Sequence, residues 1–287
     1  MSHDSEILER AALASLHAAA SDDLVSALGL RALTIGAGLV SVAAALPPTA
    51  IVINRALGGG LSAPETEVTV KQTIAAYRDA GVARYFIQRH PQAEPAEMVG
   101  WLLDAGLVKT RGWQKFQRGR EAPPQSSSDL RVEEIGPDQG AVFARILCAA
   151  FELGDLAEPW LARLPGHEGW RVFMCFDGDR PAGTATMYVA DGLAWFDFAA
   201  TAPEFRRRGS QGALLAARIE TALAHGCRAM FACTGEDVPG DPQHSFKNIL
   251  KAGFHETYVR ENYAPPKFKG LERFQRTLNH LGDSLCA

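Results

Sequence analysis

An apolar stretch, Phe198-Ala199-Ala200-Thr201, runs through Ala202-Pro203-Glu204-Phe205 into a basic turn, Arg206-Arg207-Arg208-Gly209-Ser210-Gln211-Gly212, and on into Ala213-Leu214-Leu215. These residue types suit a phosphate. Three guanidinium groups offer charge-assisted donors, and Gly209 and Gly212 let the backbone come close to a ligand. A helix starting here points its unpaired N–H groups back at the turn. An arginine triplet on a surface turn is more often a solvated patch, but an apolar strand before it and a helix after it favour anion binding.

The elements that must hold this turn are legible from periodicity. Leu215, Ile219 and Leu223 recur at four-residue spacing, Leu214 and Ala222 widen the stripe, and Arg218, Glu220 and His225 fall outside it, which predicts an amphipathic helix ended by Gly226. Leu193 to Thr201 is short, apolar and aromatic, as a buried strand is. Two better-known phosphate loops do not fit. No Gly-Lys-Ser or Gly-Lys-Thr tripeptide occurs, and Gly209-Ser210-Gln211-Gly212 lacks the spacing of a dinucleotide fingerprint.

The turn resembles that of the GCN5-related N-acetyltransferase (GNAT) family, which places Arg/Gln-x-x-Gly-x-Gly/Ala between its fourth strand and third helix. Arg206 to Gln211 occupies that register, with Gln211 where the family has Gly or Ala. Ser245-Phe246-Lys247-Asn248-Ile249-Leu250-Lys251-Ala252-Gly253-Phe254 is similar to the family's fourth helix, with Asn248 in the place of its cofactor-facing Asn and Ile249 where many members carry a proton-donating Tyr. The resemblance implies that acetyl-CoA is the co-substrate, held by Ala199, Ala200 and Thr201 at the splayed strand end, by Arg206, Arg207, Arg208, Gly209, Ser210, Gln211, Gly212 and Ala213 in the turn, and by Asn248. It implies an N-acyltransferase in which a primary amine of a small molecule or peptide attacks the thioester directly. A protein that binds acyl-CoA without catalysis is the alternative that Ile249 suggests.

Such chemistry needs a base for the ammonium and an acid for the thiolate. Asp197, alone among apolar neighbours, is the expected base or relay; two-residue alternation puts it on one face with Ala199 and Thr201. A structural carboxylate that pairs with a core arginine or caps a loop is the competing reading. Tyr258 is the expected acid and His244 the second choice, although an ordinary half-buried strand residue is the favoured reading of Tyr258. Cys233, at a strand end, is a weak candidate nucleophile.

The family match spans roughly 130–265, and the chain between the motifs agrees with it: a helix over 137–153, strands over 170–176, 183–189, 193–201, 228–233 and 257–263, and turns at Asp177-Gly178-Asp179-Arg180-Pro181 and Asp191-Gly192. The implied fold is an α/β domain with a mixed sheet. Residues 120–129 are polar and breaker-rich and read as a linker between an N-terminal unit, 1–119, and the acetyl-CoA-binding domain, 130–287. The N-terminal unit reads strand 49–57, helix 68–80, strand 83–88, helix 96–105, strand 108–116, the same order as the second half. Asp79-Ala80-Gly81-Val82 answers to Ala224-His225-Gly226-Cys227 and Asp104-Ala105-Gly106-Leu107 to Lys251-Ala252-Gly253-Phe254, at offsets of 145 and 147 residues. This predicts two tandem GNAT-like domains, the first degenerate. Its Gly58-Gly59-Gly60 loop lacks the arginine cluster, and Asn54 and Arg55 read as a solvated strand end.

Composition closes off other classes. A net charge of −4 and a pI near 6.1 give no general attraction to nucleic acid or anionic membrane. No apolar run reaches a membrane span, and the acidic start, Met1-Ser2-His3-Asp4-Ser5-Glu6, lacks the basic region of an export signal, so a cytoplasmic protein is expected. Five cysteines without a Cys-x-x-Cys pair read as free thiols, and eight scattered histidines predict no metal site. A homodimer is left open as the assembly.

Overall fold

Leu8, Ala12, Leu13 and Leu16 recur at helical spacing, and in the computed structural model, which describes residues 3–240 and 243–266, they form the buried face of α1 (Asp4–Ala18). Cys286 and the tail beyond Pro266 lie outside the described residues. The chain divides into two compact units, one formed by the residues up to Trp113 together with the segment from Val259, the other by Gln114–Tyr258.

In the first unit α1 is followed by α2 (Asp22–Leu28), the hairpin β1 (Leu30–Ile35) and β2 (Gly38–Ala43), then β3 (Arg55–Leu57), α3 (Glu67–Asp79), β4 (Phe86–Arg89), α4 (Met98–Asp104) and the first half of β5 (Val108–Arg118). The sheet runs β1-β2-β3-β4 and takes the last residues of β11 (His255–Ala264) beside β4. Only β3 and β4 are parallel, as a strand-helix-strand crossover requires. Val40, Val42, Tyr77, Ile87, Leu102 and Tyr263 form the core between this sheet and α3–α4.

The expected strand over 49–57 shrinks to Arg55–Leu57. After Pro47-Pro48 the chain coils instead, Ile53 N and Asn54 N both donating to Ala50 O, at 3.0 and 2.8 Å. Nor is its end solvated. The Asn54 amide accepts from Ala43 N at 2.8 Å, and Arg55 is buried against Glu9 of α1. Arg260 of β11 completes this cluster, donating to Glu6 at 3.1 Å and to Glu9 at 2.5 and 2.9 Å, while both arginines lie over the Trp113 ring. Two carboxylates and two guanidiniums thus neutralise one another out of water. Their donors and acceptors interlock, so losing one member strands the rest.

The second unit begins with the rest of β5 and continues through β6 (Arg131–Glu134), α5 (Gly140–Phe151), α6 (Glu158–Leu161), β7 (Trp170–Asp177), β8 (Arg180–Ala190), β9 (Leu193–Thr201), α7 (Ser210–Ala224), β10 (Ala229–Gly235), α8 (His244–Lys251) and the start of β11. Its strand order is β5-β10-β9-β8-β7-β6, antiparallel from β6 to β9 and parallel between β9 and β10. This is the mixed α/β sheet the sequence implies. Phe196, Leu214, Leu215, Ile219, Phe246, Ile249 and Phe254 pack the face covered by α7 and α8. The polar stretch after β5 is anchored: buried Arg118 donates to the carbonyls of Ala252, Glu121 and Ala122 at 2.9, 2.9 and 2.6 Å.

The four Ala-Gly and His-Gly steps end their helices alike. Gly81, Gly106, Gly226 and Gly253 are left-handed at φ +71° to +84°. In each case the residue after the glycine turns its N–H back to the preceding helix, from Val82 to Tyr77, Leu107 to Leu102, Cys227 to Ala222 and Phe254 to Ile249. Both units therefore share the β-α-β-α-β run with its helix ends.

Two consequences are measurable by urea unfolding. Arg260→Met leaves Glu6 and Glu9 short of a buried partner and is expected to cost about 3–5 kcal/mol. His17, buried with its Nε2 2.7 Å from Ser41 Oγ, has its pKa lowered by burial from 6.5 to about 4. The folded state holds it neutral while the unfolded chain takes up a proton below about pH 6.5, so stability falls as pH drops from 6.5 toward 4, by up to about 3 kcal/mol. His17→Gln is expected to flatten that part of the pH profile.

Candidate functional site

β9 and β10 pair in parallel from Leu193↔Ala229 to Phe196↔Ala232 and then part. The cause is visible in the other ladder of β9. Opposite β8, Thr186 faces Asp197 but Ala185 faces Ala199, so Phe198 is an extra residue, a β-bulge. Its backbone is left-handed at φ +34°, unusual for an aromatic residue, and its ring is held edge-on against Phe151 of α5, centroids 5.6 Å apart. The bulge bends β9 away from β10 and opens a wedge between the two strands.

The extra residue also resets the alternation. Thr186 and Ala185 are consecutive on an ordinary strand and point to opposite faces, so Asp197 and Ala199 do too. Ala199 and Thr201 lie on the α7 face; Asp197 does not. This corrects the single-face expectation. The Asp197 carboxylate accepts from Trp195 Nε1 at 3.0 Å and from the bulge N–H of Phe198 at 2.9 Å. Buried Lys115 of β5 covers the other side of the Trp195 ring, Nζ 4.1 Å from its centroid.

Arg218 was expected on the solvated side of its helix and is instead buried. It stacks 4.6 Å from the Phe196 ring and donates to Thr186 O at 3.1 Å, Asp197 O at 3.4 Å and Leu214 O at 3.1 Å. The first two carbonyls lie at the register shift. The guanidinium supplies donors where the ladder is broken, a demand invisible until the bulge is known.

The basic turn leaves β9 through a single 3₁₀ turn, Pro203–Phe205. Arg207 and Gly209 are left-handed, at φ +66° and +80°, and Gly209 is the residue from which α7 springs. Arg206 and Arg207 are exposed. Arg208 turns back into the protein, bonded to Asp129 and, at 3.0 Å, to Asp177, whose carboxyl it holds below the usual aspartate range. Ser128 Oγ donates to Arg208 O at 2.8 Å, so the polar stretch read as a linker braces the turn. Ser210 is buried beneath it, 3.1 Å from Thr201 Oγ1 and 3.1 Å from Cys175 Sγ. A methyl on Gly183 would stand 2.7 Å from both Ser210 Oγ and Ala200 O, which explains the glycine. Gln211 binds Ser245 Oγ at 2.9 Å and accepts from Asn248, so these side chains tie α7 to α8. Gly212 is exposed on the first turn of α7, where N–H groups lack helical partners, and Ala213 is buried with its N–H donating to Gly209 O at 3.0 Å, which corrects the expectation that Ala213 helps to hold the cofactor through its amide.

Residues 142–241 match the family model described as Acetyltransferase (GNAT) family. Over these residues the second unit is similar to the GNAT family. The fold is also that of solved structures. A GCN5-related N-acetyltransferase from Kribbella flavida is 16% identical with a TM-score of 0.56, covering 88% of this chain and 96% of its own. A conserved protein of unknown function from Staphylococcus epidermidis is 9% identical at 0.54, covering 83% and 94%. A tandem GNAT protein from the clavulanic acid biosynthesis pathway is 14% identical at 0.50, covering 73% of each chain. No curated protein matches the sequence.

Within the second unit, Ile249 of α8 points into the core beside Phe246 and Phe254. Tyr258 is half-buried on β11, its carbonyl accepting from Gln114 at 3.1 Å, and His244 is exposed at the start of α8. Cys233 is half-buried on β10; it and Cys148, Cys175 and Cys227 are free thiols, and burial pushes Cys148 up to about 12. Arg218, Arg118 and Ser128 are the residues that sequence reasoning missed. Arg218 lies three and four residues from Leu215, Leu214 and Ala222 and so shares their face rather than falling outside it; that spacing was the one available signal.

Removing the donors at the bulge is expected to destabilise this unit without touching any exposed residue. Arg218→Met should cost about 2–4 kcal/mol in urea unfolding, and Arg218→Lys should recover less than half of it, because one ammonium cannot reach all three carbonyls.

Proposed function

We propose that this protein is an N-acyltransferase that moves an acetyl or longer acyl group from its CoA thioester to a primary amine of a small molecule or peptide. The observation that carries this reading is the wedge between β9 and β10, closed at one end by a left-handed basic turn that feeds the N-terminus of α7. The arrangement fits a pyrophosphate: exposed guanidiniums of Arg206 and Arg207, a backbone opened by Gly209, and N–H groups from Ser210 to Gly212 at a helix start. Arg208, Gln211 and Asn248 hold the turn in shape through the contacts above.

In this reading the thioester lies along β9, its carbonyl oxygen receiving an N–H from Ala199 to Thr201. Asp197 takes the proton of the acceptor ammonium, directly or through water. The neutral amine forms the C–N bond as the C–S bond breaks, the departing sulfur takes a proton for which Tyr258 is the proposed donor, and the proton shed by the new amide nitrogen passes through water to restore the tyrosine. We place the reaction in the cytosol, without metal, nucleic-acid or membrane partners, and leave a homodimer open. The family name supports acyl transfer; the acceptor and donor length are proposals.

The burial of Ile249, in the position of the family's proton-donating tyrosine, favours a second reading in which acyl-CoA is bound but not turned over. Free thiol released from acetyl-CoA over a panel of amines separates the two. Enzymatic function predicts turnover with at least one amine, reduced about 10²–10⁴-fold by Asp197→Asn. An Arg206→Ala, Arg207→Ala double variant should raise KM for acetyl-CoA about tenfold with little change in kcat. Binding without turnover on any amine would leave the second reading standing.

A further inference from the structure

The sheet of the first unit ends at β1, whose far side pairs with no other strand among the described residues. Which of its main-chain groups point outward follows from the hairpin. β1 and β2 are joined by two residues, Gly36-Ala37, with Gly36 left-handed at φ +56°, and the register runs unbroken from Ile35↔Gly38 to Leu30↔Ala43. In a two-residue hairpin the flanking pair exchanges hydrogen bonds, and bonded pairs then recur at every second residue, so Ile35, Leu33 and Arg31 face β2. The same alternation reaches Gly29 and Ala44, and Ala44 N does donate to Gly29 O, at 3.4 Å. Leu30, Ala32 and Thr34 therefore turn their N–H and C=O groups away from β2. Ala32 and Thr34 are exposed.

An open edge invites another strand, and proteins blunt it with charge, proline, a bulge or a covering element. The edge of the second unit's sheet is blunted by charge: Arg131, Glu133 and Glu134 of β6 are all exposed. β1 carries Arg31 as its one charge in six residues, with no proline and no register shift. Beside it α3, which meets the hairpin at Gly36 through Thr69, leaves Val68 62% exposed, apolar surface that flanks the edge.

This edge suits a second copy of itself. Outward groups sit on alternate residues, so an antiparallel two-fold pairing must have its axis through a residue and not between two. With the axis at Leu33, exposed Ala32 and Thr34 supply the bonds, the two half-buried leucines meet, and Arg31 lies opposite Ile35 of the copy. The two arginines then stand about 14 Å apart, whereas an axis at Ala32 brings them to a diagonal of about 7–8 Å and spends the outward groups of buried Leu30. Pairing β1 with β1 also closes as a dimer. Pairing it with β6 of another copy is open-ended and meets the charged edge.

We propose that β1 is the interface of a homodimer, pairing antiparallel with β1 of a second copy, with Thr34 opposite Ala32 and Leu33 on the two-fold axis. The inference is independent of acyl transfer.

Sedimentation velocity on the full-length protein, from about 1 to about 200 μM, is expected to show a monomer–dimer equilibrium with a micromolar dissociation constant. Ala32→Pro removes an outward N–H without touching the β2 ladder and should weaken the dimer at least about tenfold. Thr34→Lys and Ala32→Glu should each weaken it as well. An equimolar mixture of those two variants should associate at least about fivefold more tightly than either alone, because the register sets the new ammonium opposite the new carboxylate. A monomer at every concentration, as expected if the edge receives an extended segment of a different protein, overturns the assignment. So does a dimer indifferent to these substitutions, or a mixture no tighter than its components. The charge variants alter exposed side chains, so they decide the matter even if Ala32→Pro fails to fold.

Discussion

One extra residue in one strand organises the candidate site. Phe198 is that residue: by interrupting the β8–β9 ladder it bends β9 off β10, moves Asp197 to the opposite face from Ala199 and Thr201, and leaves Thr186 and Asp197 presenting carbonyls to Arg218. A bulge of this kind costs ladder bonds and, at φ +34°, backbone strain. Two contacts offset the cost. The Phe198 ring is packed against Phe151, and the Phe198 N–H is satisfied by the neighbouring Asp197 carboxylate. The wedge is therefore a property of the folded unit and of no single residue in it.

The basic turn then inherits its shape from what lies under it. Thr201, Ser210 and Cys175 form one buried polar contact below the start of α7, and Asp129, Ser128 and Asp177 hold the Arg208 main chain and side chain from outside. Arg208 and Gln211 are bonded within the protein, and Arg206 and Arg207 are the exposed members of the three arginines. Preorganisation of this sort limits the ordering a ligand must impose on binding. The first unit repeats the crossover with different electrostatics. Its interior charges are two arginines against two glutamates beneath the sheet.

Much of the architecture was readable because it depends on local rules. The helix over 210–224 follows from Leu215, Ile219 and Leu223, the strands over 170–176 and 193–201 from apolar runs between turn residues, and the helix ends from glycine. Reading failed where a remote partner decides. Thr49 to Ile53 looked like strand until Pro47-Pro48 and the Asn54–Ala43 bonds coiled it. Arg55 looked solvated until α1 brought Glu9 to it, and Arg218 looked exposed until the bulge gave it carbonyls.

By itself the sequence determined the βαβ crossovers, the glycine-ended helices and the phosphate-suited turn, because periodicity, backbone conformation and local charge are short-range. Tertiary structure alone decided which side of β9 carries Asp197, which arginines face outward and which carboxylates are buried. Those depend on a register shift between β8 and β9 and on partners as far apart as Glu9 and Arg260, and no local preference encodes either.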